Sequence, residues 1–351
     1  MFDTRFKCLP TMIGRMNCLP IVIGSMPDTD PEKSWRLVAR FLKDIPAWPQ
    51  LPKRSVLEDM NVQFSEGFPG ATIEGNRVII KHTSNFNNEL ERLYAAYLAN
   101  DCSGYPTSEK YASGLHKMLS SGISPKAVKG QITGPVTWGL SVIDENKKAI
   151  IYDDVLGDAV PKFLRLKASW QEKALSKISK NTIIFFDEPY MVSFGSATLT
   201  ISREKVISLL EEVFQGITGL KGVHCCGNTD WSVLLATSLD ILSYDTYNYA
   251  ESLALYPAEV KRFIDRKGVI AWGIVPNNEE VLVKESAVSL QDRLEEAMAP
   301  FTRKGIPFKQ LIEQGLLTPS CGVEGLSVEG AEQVLKLLTE LSDRIKKRYG
   351  N

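Results

Sequence analysis

A histidine and a cysteine two residues apart, His224 and Cys226, offer the clearest chemistry in the sequence. They follow an apolar residue and precede Gly-Asn, a pattern typical of a strand end. Side chains two apart in a strand point to the same side, so Cys225 faces the other way. A third donor, Cys321, lies far downstream where another apolar run meets a glycine. An imidazole and two thiolates suit zinc, and three protein ligands leave one position open for substrate. The alternative is a hydrogen-bonded core histidine with small buried cysteines.

Zinc held by such a set favours one kind of reaction. A thiol that enters the open position loses its proton to become a thiolate, and the thiolate is the nucleophilic form. The predicted chemistry is therefore alkyl transfer to a thiol. Asp245 ends the next predicted strand after that of His224. It is either a fourth ligand that substrate displaces or a hydrogen-bond partner of His224.

Two other stretches are candidates for holding the substrate. Asp187 ends an apolar run, and a carboxylate there suits an ammonium group. The alternatives for Asp187 are a helix cap or a structural ion pair. Ile23, Gly24 and Ser25 offer backbone N–H groups and a hydroxyl, which suit a substrate carboxylate.

These residues follow predicted strands, which alternate with helices along the chain. The eight strands lie at 20–24, near 57–64, and at Ala127–Ile132, Thr182–Phe186, Val223–Cys226, Ile241–Tyr244, Val269–Ile274 and about Leu316–Ser320. Eight strand-helix units predict an α/β fold, a TIM (β/α)8 barrel forming a single domain over 1–351. A doubly wound open sheet is the alternative. In a barrel the candidate residues would converge at the carboxyl ends of the strands, where active sites lie.

The predicted helices begin with one capped by Asp30 with Pro31 at its first position. The others lie over about 87–99 and 108–121, Leu156–Lys180, about 202–217, Trp231–Ser238, Pro257–Lys267, about 287–302 and 327–348. Thr72–Lys81 is predicted to be a hairpin with its turn at Gly75-Asn76. Residues 8–14 nearly repeat residues 18–24, which predicts paired strands and an N-terminal strand or hairpin extension over about 1–19.

Composition excludes several classes of function. The 351 residues carry 41 Lys and Arg against 42 Asp and Glu, which argues against nucleic acid as the main partner. No apolar run approaches the roughly 20 residues of a membrane span, and the N-terminus does not read as a signal peptide. Six cysteines in so long a chain indicate a reducing compartment rather than a disulfide framework. The cytoplasm is the expected location.

The motifs together resemble a known family. Ile23–Ser25, Thr133–Thr137, Asp187-Glu188-Pro189, His224-x-Cys226 and Cys321-Gly322 are similar to the C-terminal catalytic barrel of cobalamin-independent methionine synthase. The wider group includes uroporphyrinogen decarboxylase and corrinoid-dependent thiol methyltransferases. The resemblance implies that Ile23, Gly24, Ser25 and Asp187 hold homocysteine. It also implies that His224, Cys226 and Cys321 bind zinc, with Asp245 where the family has a glutamate ligand.

Departures from the family concern the methyl donor. The full-length enzymes carry a second, N-terminal barrel for the folate, and this sequence does not contain one. The histidine that protonates the folate falls near Ile274, which cannot donate a proton. The stretch 190–195 lacks the family's acidic folate contact. The resemblance therefore implies a methyl-corrinoid donor, either methylcobalamin or a methylated corrinoid protein. No Asp-x-His-x-x-Gly corrinoid signature surrounds any of the three histidines, so the donor would arrive in trans.

Other functions remain open at this point. A methyltransferase for another thiol, such as coenzyme M, would use the same metal chemistry. The sulfonate of such a thiol would need cationic groups, and Lys53 and Arg54 are the candidates in the sequence. A uroporphyrinogen decarboxylase-like enzyme would need no zinc. A zinc-stabilised barrel without catalysis is the alternative from outside the enzymes.

Overall fold

The computed structural model of the protein describes residues 16–196 and 199–350. The main sheet is built from β1 (Leu19–Pro20), β4 (Val128–Thr133), β6 (Thr182–Asp187), β7 (Leu220–Cys225), β8 (Ile241–Tyr244), β9 (Val269–Val275) and β10 (Gly315–Pro319). These seven strands are parallel, in the order β1-β10-β9-β8-β7-β6-β4. A second sheet joins the hairpin β2 (Ala71–Glu74) and β3 (Arg77–Ile80) to β5 (Ile143–Asp144). The hairpin predicted over Thr72–Lys81 is confirmed.

Helices follow most strands, as the alternating pattern predicted. They are α1 (Pro31–Phe41), α2 (Met60–Gln63), α3 (Phe86–Leu98), α4 (Ser113–Leu119), α5 (Pro135–Ser141), α6 (Asp154–Leu175), α7 (Arg203–Phe214), α8 (Trp231–Leu235), α9 (Thr246–Ala254), α10 (Pro257–Asp265), α11 (Glu279–Leu282), α12 (Ala287–Arg303), α13 (Phe308–Glu313) and α14 (Val328–Tyr349). The Asp30 side chain caps α1 by accepting from the backbone N–H groups of Glu32 and Lys33, as expected. The short helices α2, α5, α9, α11 and α13 were not predicted.

Residues 46–50 occupy the eighth position of the barrel, between β1 and β4. Single parallel bridges join Ala47 to Lys129 and Gln50 to Ser25. Backbone hydrogen bonds support both sides, from Lys129 N to Pro46 O and from Gln50 N to Gly24 O, each 2.9 Å long. Prolines lack an N–H, so this segment cannot form a regular ladder. The strands nevertheless close into a ring, and the predicted TIM barrel is confirmed.

The strand predicted near 57–64 is wrong. A 3-10 helix occupies Val56–Glu58, and α2 follows it directly. The apolar side chains of Val62 and Phe64 are buried in the core, which accounts for the strand-like pattern. Two helical turns bury them as well as a strand would.

Alternation along the strands separates two apolar layers. Ile184 and Phe186 of β6 point outward into the large core between strands and helices, whereas Ile183 and Phe185 belong to a separate cluster inside the barrel. That inner cluster also contains Leu220 of β7 and other inward side chains from β8, β9 and β10. The next inward position on β6 is Asp187. The apolar barrel floor therefore ends where the candidate site begins.

Three further expectations concern the N-terminal extension, a membrane span and disulfides. Residues 8–14, and most of the predicted extension over about 1–19, lie outside the described residues, and β1 pairs with β10. Within residues 16–196 and 199–350, no helix is both long and apolar enough to cross a membrane. The five cysteines in the same ranges are free thiols.

Candidate metal centre at the barrel rim

Three neighbouring strands bring their last inward side chains into one row. The strand register pairs Asp187 of β6 with His224 of β7, and His224 with Ser243 of β8. Parallel strands in register place such partners side by side on the same face. This row lies at the carboxyl ends of the strands, where the barrel fold places an active site.

His224, Cys226 and Cys321 form a compact donor group. One ligand atom from each residue lies within 4.8 Å of the other two, although Cys321 comes from the far end of the chain. Around a tetrahedral zinc, such donors are separated by roughly 3.5–3.8 Å, from the usual bond lengths. Only a small contraction would bring these atoms to that spacing.

The histidine ring is oriented for a ligand. His224 is 3% exposed, and its Nδ1 lies 3.0 Å from the Ser243 hydroxyl oxygen. Its Nε2 is buried and has no hydrogen-bond partner among the described residues. A buried ring nitrogen without a partner is costly unless a ligand or ion satisfies it, and a metal-bound histidine is typically anchored through its other nitrogen. The donor group therefore fits zinc.

The three cysteines of this region have different surroundings, and Cys225 faces away from the donor group as the spacing predicted. The neighbouring Cys321 side chain, together with the His224 ring, lowers the pKa of Cys226. The same contact, together with burial, raises the pKa of Cys321. Cys225 faces the other side, where burial raises its pKa to about 12 and its sulfur lies 3.6 Å from Gly227 O. Cys226 and Cys321 remain partly exposed at the rim, so an incoming reactant can reach them.

Asp245 lies at the rim but outside this group of three donors. Its Oδ1 accepts from Asn248 N at 2.9 Å and its Oδ2 from Asn248 Nδ2 at 2.7 Å. Asp245 is thus the N-cap of α9. The partner of His224 Nδ1 is Ser243.

Asp187 is buried with an unused oxygen. The residue is 7% exposed, and its Oδ1 has no hydrogen-bond partner in the described part of the chain. Burial raises the pKa of Asp187, while the buried Lys129 ammonium opposes that shift. Its neighbour Glu188, rather than Asp187, caps a helix, with Oε1 accepting from Val136 N at 2.9 Å and Oε2 from Thr137 N at 2.7 Å.

The Ile23–Ser25 stretch is held rigidly from inside the barrel. The Lys129 ammonium donates to Ile23 O at 2.5 Å and to Gln131 Oε1 at 3.2 Å. Gly24 has a φ of +153°, and a Cβ there would lie 2.6 Å from Gln131 Nε2. Ser25, at the open end of this stretch, is partly exposed.

Sequence reasoning missed three polar residues near the site. Ser243 and Lys129 each stand in a buried strand at an inward position, and a polar residue in an apolar run was the available signal. Glu324 follows the Cys321 turn, and its Oε2 is buried without a partner among the described residues. A Cβ on Gly322 would lie 2.4 Å from that oxygen and 3.1 Å from Ser25 Cβ, so Glu324 lies next to Ser25.

A closed parallel barrel with a His-Cys-Cys group at the carboxyl ends of its strands defines a TIM-barrel protein with a candidate metal centre at the usual place of an active site. No protein-family model matches the chain. Among curated proteins, a methionine synthase from Methanocaldococcus jannaschii is 26% identical over 239 residues, covering 67% of this chain and 70% of the relative.

Solved structures share the fold over most of the chain. A B12-independent methionine synthase from Shewanella sp. W3-18-1, in complex with selenomethionine, matches with a TM-score of 0.58 and 15% identity, covering 94% of this chain and 98% of that one. A methyltransferase from Methanosarcina mazei matches with a TM-score of 0.51 and 15% identity, covering 92% and 86%. The curated relative confirms the resemblance to methionine synthases and the expectation of a methyltransferase-type enzyme, and the solved structures confirm the fold.

Proposed function

We propose that this protein is a zinc-dependent methyltransferase that makes methionine by moving a methyl group from a methyl-corrinoid to homocysteine. The observation that carries the proposal is the group formed by His224, Cys226 and Cys321 beside the buried Asp187. The similarity to a methionine synthase over two thirds of the chain supports the same substrate.

Each part of the site would have a separate task. His224, Cys226 and Cys321 would hold zinc, which keeps a substrate thiol ionised at neutral pH. Asp187 would accept the substrate ammonium group at its unused Oδ1. The stretch of Ile23, Gly24 and Ser25 would orient the carboxylate. Asp245 stays a candidate fourth ligand, and it would have to leave its cap on α9 to reach the metal.

A corrinoid donor agrees with the residues at the end of β9. Gly273, Ile274 and Val275 carry no side-chain proton donor, and Ile274 is buried in the apolar core between strands and helices. A methyl-corrinoid needs no acid, because the Co–C bond breaks with its electron pair left on cobalt while the S–C bond forms. The donor would be free methylcobalamin or a methylated corrinoid protein.

The alternative thiols fit the site less well. A sulfonate such as that of coenzyme M would need cations, yet Arg54 is paired with Glu58 at 3.0 Å and the Lys53 ammonium lies 3.4 Å from Leu326 O. A decarboxylase would leave the three-donor group without a role.

Ligand substitutions test the proposal. Cys226→Ser and Cys321→Ser should each lose most of the bound zinc and the formation of methionine from homocysteine. Cys225→Ser is the matched control, because this cysteine faces away from the group, and it should keep both. Metal analysis and a methyl-transfer assay on the same preparations give the answer. Full zinc retention in either ligand variant would remove that residue from the site.

A further inference from the structure

We propose that Asn277 is a positioning residue that fixes Cys321 in the donor group. The inference rests on the proposed zinc centre, but its contacts are independent of any metal. Asn277 follows β9 and Cys321 follows β10, so the residue acts from the strand next to the ligand. No sequence motif used above includes it.

The side chain of Asn277 bridges both sides of Cys321. Its Nδ2 donates to Gly322 O at 3.0 Å, immediately after the cysteine. Its Oδ1 accepts from the Ser320 hydroxyl at 2.9 Å, immediately before it. The Asn277 backbone N–H also donates to the Ser320 hydroxyl oxygen at 3.2 Å. One amide therefore spans the residue that carries the third donor.

The need for such a bridge arises from the strand itself. The register between β10 and β9 shifts at Thr318/Pro319, because Thr318 pairs with Gly273 and Pro319 with Val275. Pro319 has no N–H to donate to a ladder, and bulges of this kind re-aim the side chains that follow. Within the described part of the chain, one further backbone bond, from Ser320 N to Val275 O at 2.8 Å, continues the pairing. Beyond that point the side chain of Asn277 replaces the missing ladder.

The groups that Asn277 bonds on either side of Cys321 are buried, so losing these bonds would be costly. Ser320 is fully buried and Gly322 is buried, whereas Asn277 and Cys321 are partly exposed. Loss of the amide would leave the Ser320 hydroxyl and the Gly322 carbonyl with fewer partners, and the turn would be free to shift. A ligand held by one turn would then sample positions in which its sulfur is too far from the other donors.

Asn278 provides a matched control for the experiment. It is adjacent and exposed, and its Oδ1 caps α11 by accepting from Val281 N at 3.2 Å. Asn278→Ala therefore replaces the same type of residue and also removes a structural hydrogen bond, but it leaves the Cys321 turn unchanged. Asn277→Asp keeps the acceptor for Ser320 but places an oxygen against Gly322 O, so it tests the donor half of the bridge.

The test compares wild type with Asn277→Ala, Asn277→Asp and Asn278→Ala. Zinc affinity is measured by competition with a chelator, and Co²⁺ is substituted to read ligand geometry from its absorption bands. Both Asn277 variants should bind zinc roughly 10- to 100-fold more weakly, the usual effect of losing a group that supports a metal ligand. Their Co²⁺ spectra should change, while the metal-free thermal midpoints should fall no further than that of Asn278→Ala.

A readout without metal separates this inference from the proposed function. In the metal-free protein, alkylation of Cys321 resolved by peptide mapping should be faster in Asn277→Ala than in wild type, with Cys102 as internal reference. Zinc affinity within twofold of wild type, or equal Cys321 alkylation rates, would overturn the positioning role. Wild type that binds no zinc would instead overturn the proposed function, and the alkylation rates would still decide the role of Asn277.

Discussion

Asp187 and Glu188 are adjacent carboxylates at the end of β6, yet the barrel gives them different surroundings. Glu188 points to the helix layer and is satisfied by two backbone N–H groups of α5. Asp187 points inward, beside His224 in the strand register, with one oxygen left without a partner among the described residues. Only Asp187 is therefore available to a ligand.

Asp187→Asn should selectively weaken the binding of amino-acid thiols. An amide cannot pair with an ammonium group as a carboxylate does, and one charge-assisted contact is worth about 1.5–3 kcal/mol. The KM for homocysteine should rise roughly 10- to 100-fold. Thiols that lack the amino group should respond little in the same assay. An equal loss for both kinds of thiol would assign Asp187 to the scaffold.

Side-chain types and a period of two predicted which residues would meet at the rim, but not the hydrogen bonds each would make. His224 and Cys226 face one way and Cys225 the other, as the spacing predicted. The helix-capping role of Asp245 was not predicted, because an Asp that follows a strand and directly precedes a helix can act either as a metal ligand or as a helix cap. Its partner Asn248, three residues on, was the available signal for a cap.

At the scale of elements, the turns after β4 and β6 stabilise each other. Thr133 pairs with Asp187 in the register, and Gly134 N donates to Asp187 O at 2.8 Å. A Cβ on Gly134 would lie 2.3 Å from the Glu188 carboxyl group. The Thr-Gly-Pro and Asp-Glu-Pro motifs thus fit together because glycine leaves room for the helix cap.

Gly134→Ala should destabilise the protein and disturb Asp187. Forcing a methyl group into this contact should cost about 1–3 kcal/mol of unfolding free energy, as overpacking does. Gly104→Ala is the control, since no atom lies within 4 Å of its added Cβ. That change should be neutral or stabilise by up to about 1 kcal/mol through the unfolded state. Urea denaturation of the two variants measures the difference, and equal midpoints would contradict the packing argument.

Periodicity predicted the seven strands of the main sheet, although it placed the first at 20–24 where the structure has Leu19–Pro20, and it misplaced the eighth. The segment 46–50 contains Pro46 and Pro49 and makes only single bridges to its neighbours, so it carries no strand pattern. Its position depends on side chains distant in sequence, such as Gln50 Nε2 donating to Gln63 Oε1 at 2.7 Å and Gln131 Nε2 donating to Trp48 O at 2.9 Å. Such tertiary contacts leave no local signature.

At the scale of the whole molecule, the fold and the donor group are separable. The two apolar clusters that fill the barrel floor and the helix layer include none of His224, Cys226 and Cys321. A bound metal stabilises only through its own binding, for example about 2.7 kcal/mol at a hundred times its dissociation constant. The barrel should therefore fold without it.

Chelation of the purified protein should abolish methyl transfer while leaving the fold intact. Far-UV circular dichroism should stay unchanged, the thermal midpoint should fall by only a few degrees, and added zinc should restore activity. A zinc-stabilised barrel without catalysis should behave differently and unfold cooperatively as the metal leaves. Parallel measurements of activity and ellipticity during one chelator titration separate the two cases.

The choice of methyl donor depends on residues at several strand ends around the rim. A methyl group on folate N5 leaves slowly unless an acid protonates the nitrogen, and such help is typically worth 10²–10⁴-fold in rate. The end of β9, to which the resemblance assigns that acid, carries Gly273, Ile274 and Val275, and Ile274 packs into the apolar layer. A cobalt-bound methyl group needs no proton, only an approach to the thiolate within roughly 3–3.5 Å. The partly exposed Cys226 and Cys321 allow that approach.

We therefore expect methionine from homocysteine and methylcobalamin, with negligible turnover of methyltetrahydrofolate under the same conditions. Cys226→Ser, run with each donor, gives the background rate for both. Folate turnover comparable to that with methylcobalamin would contradict this choice of donor while leaving the zinc centre untouched.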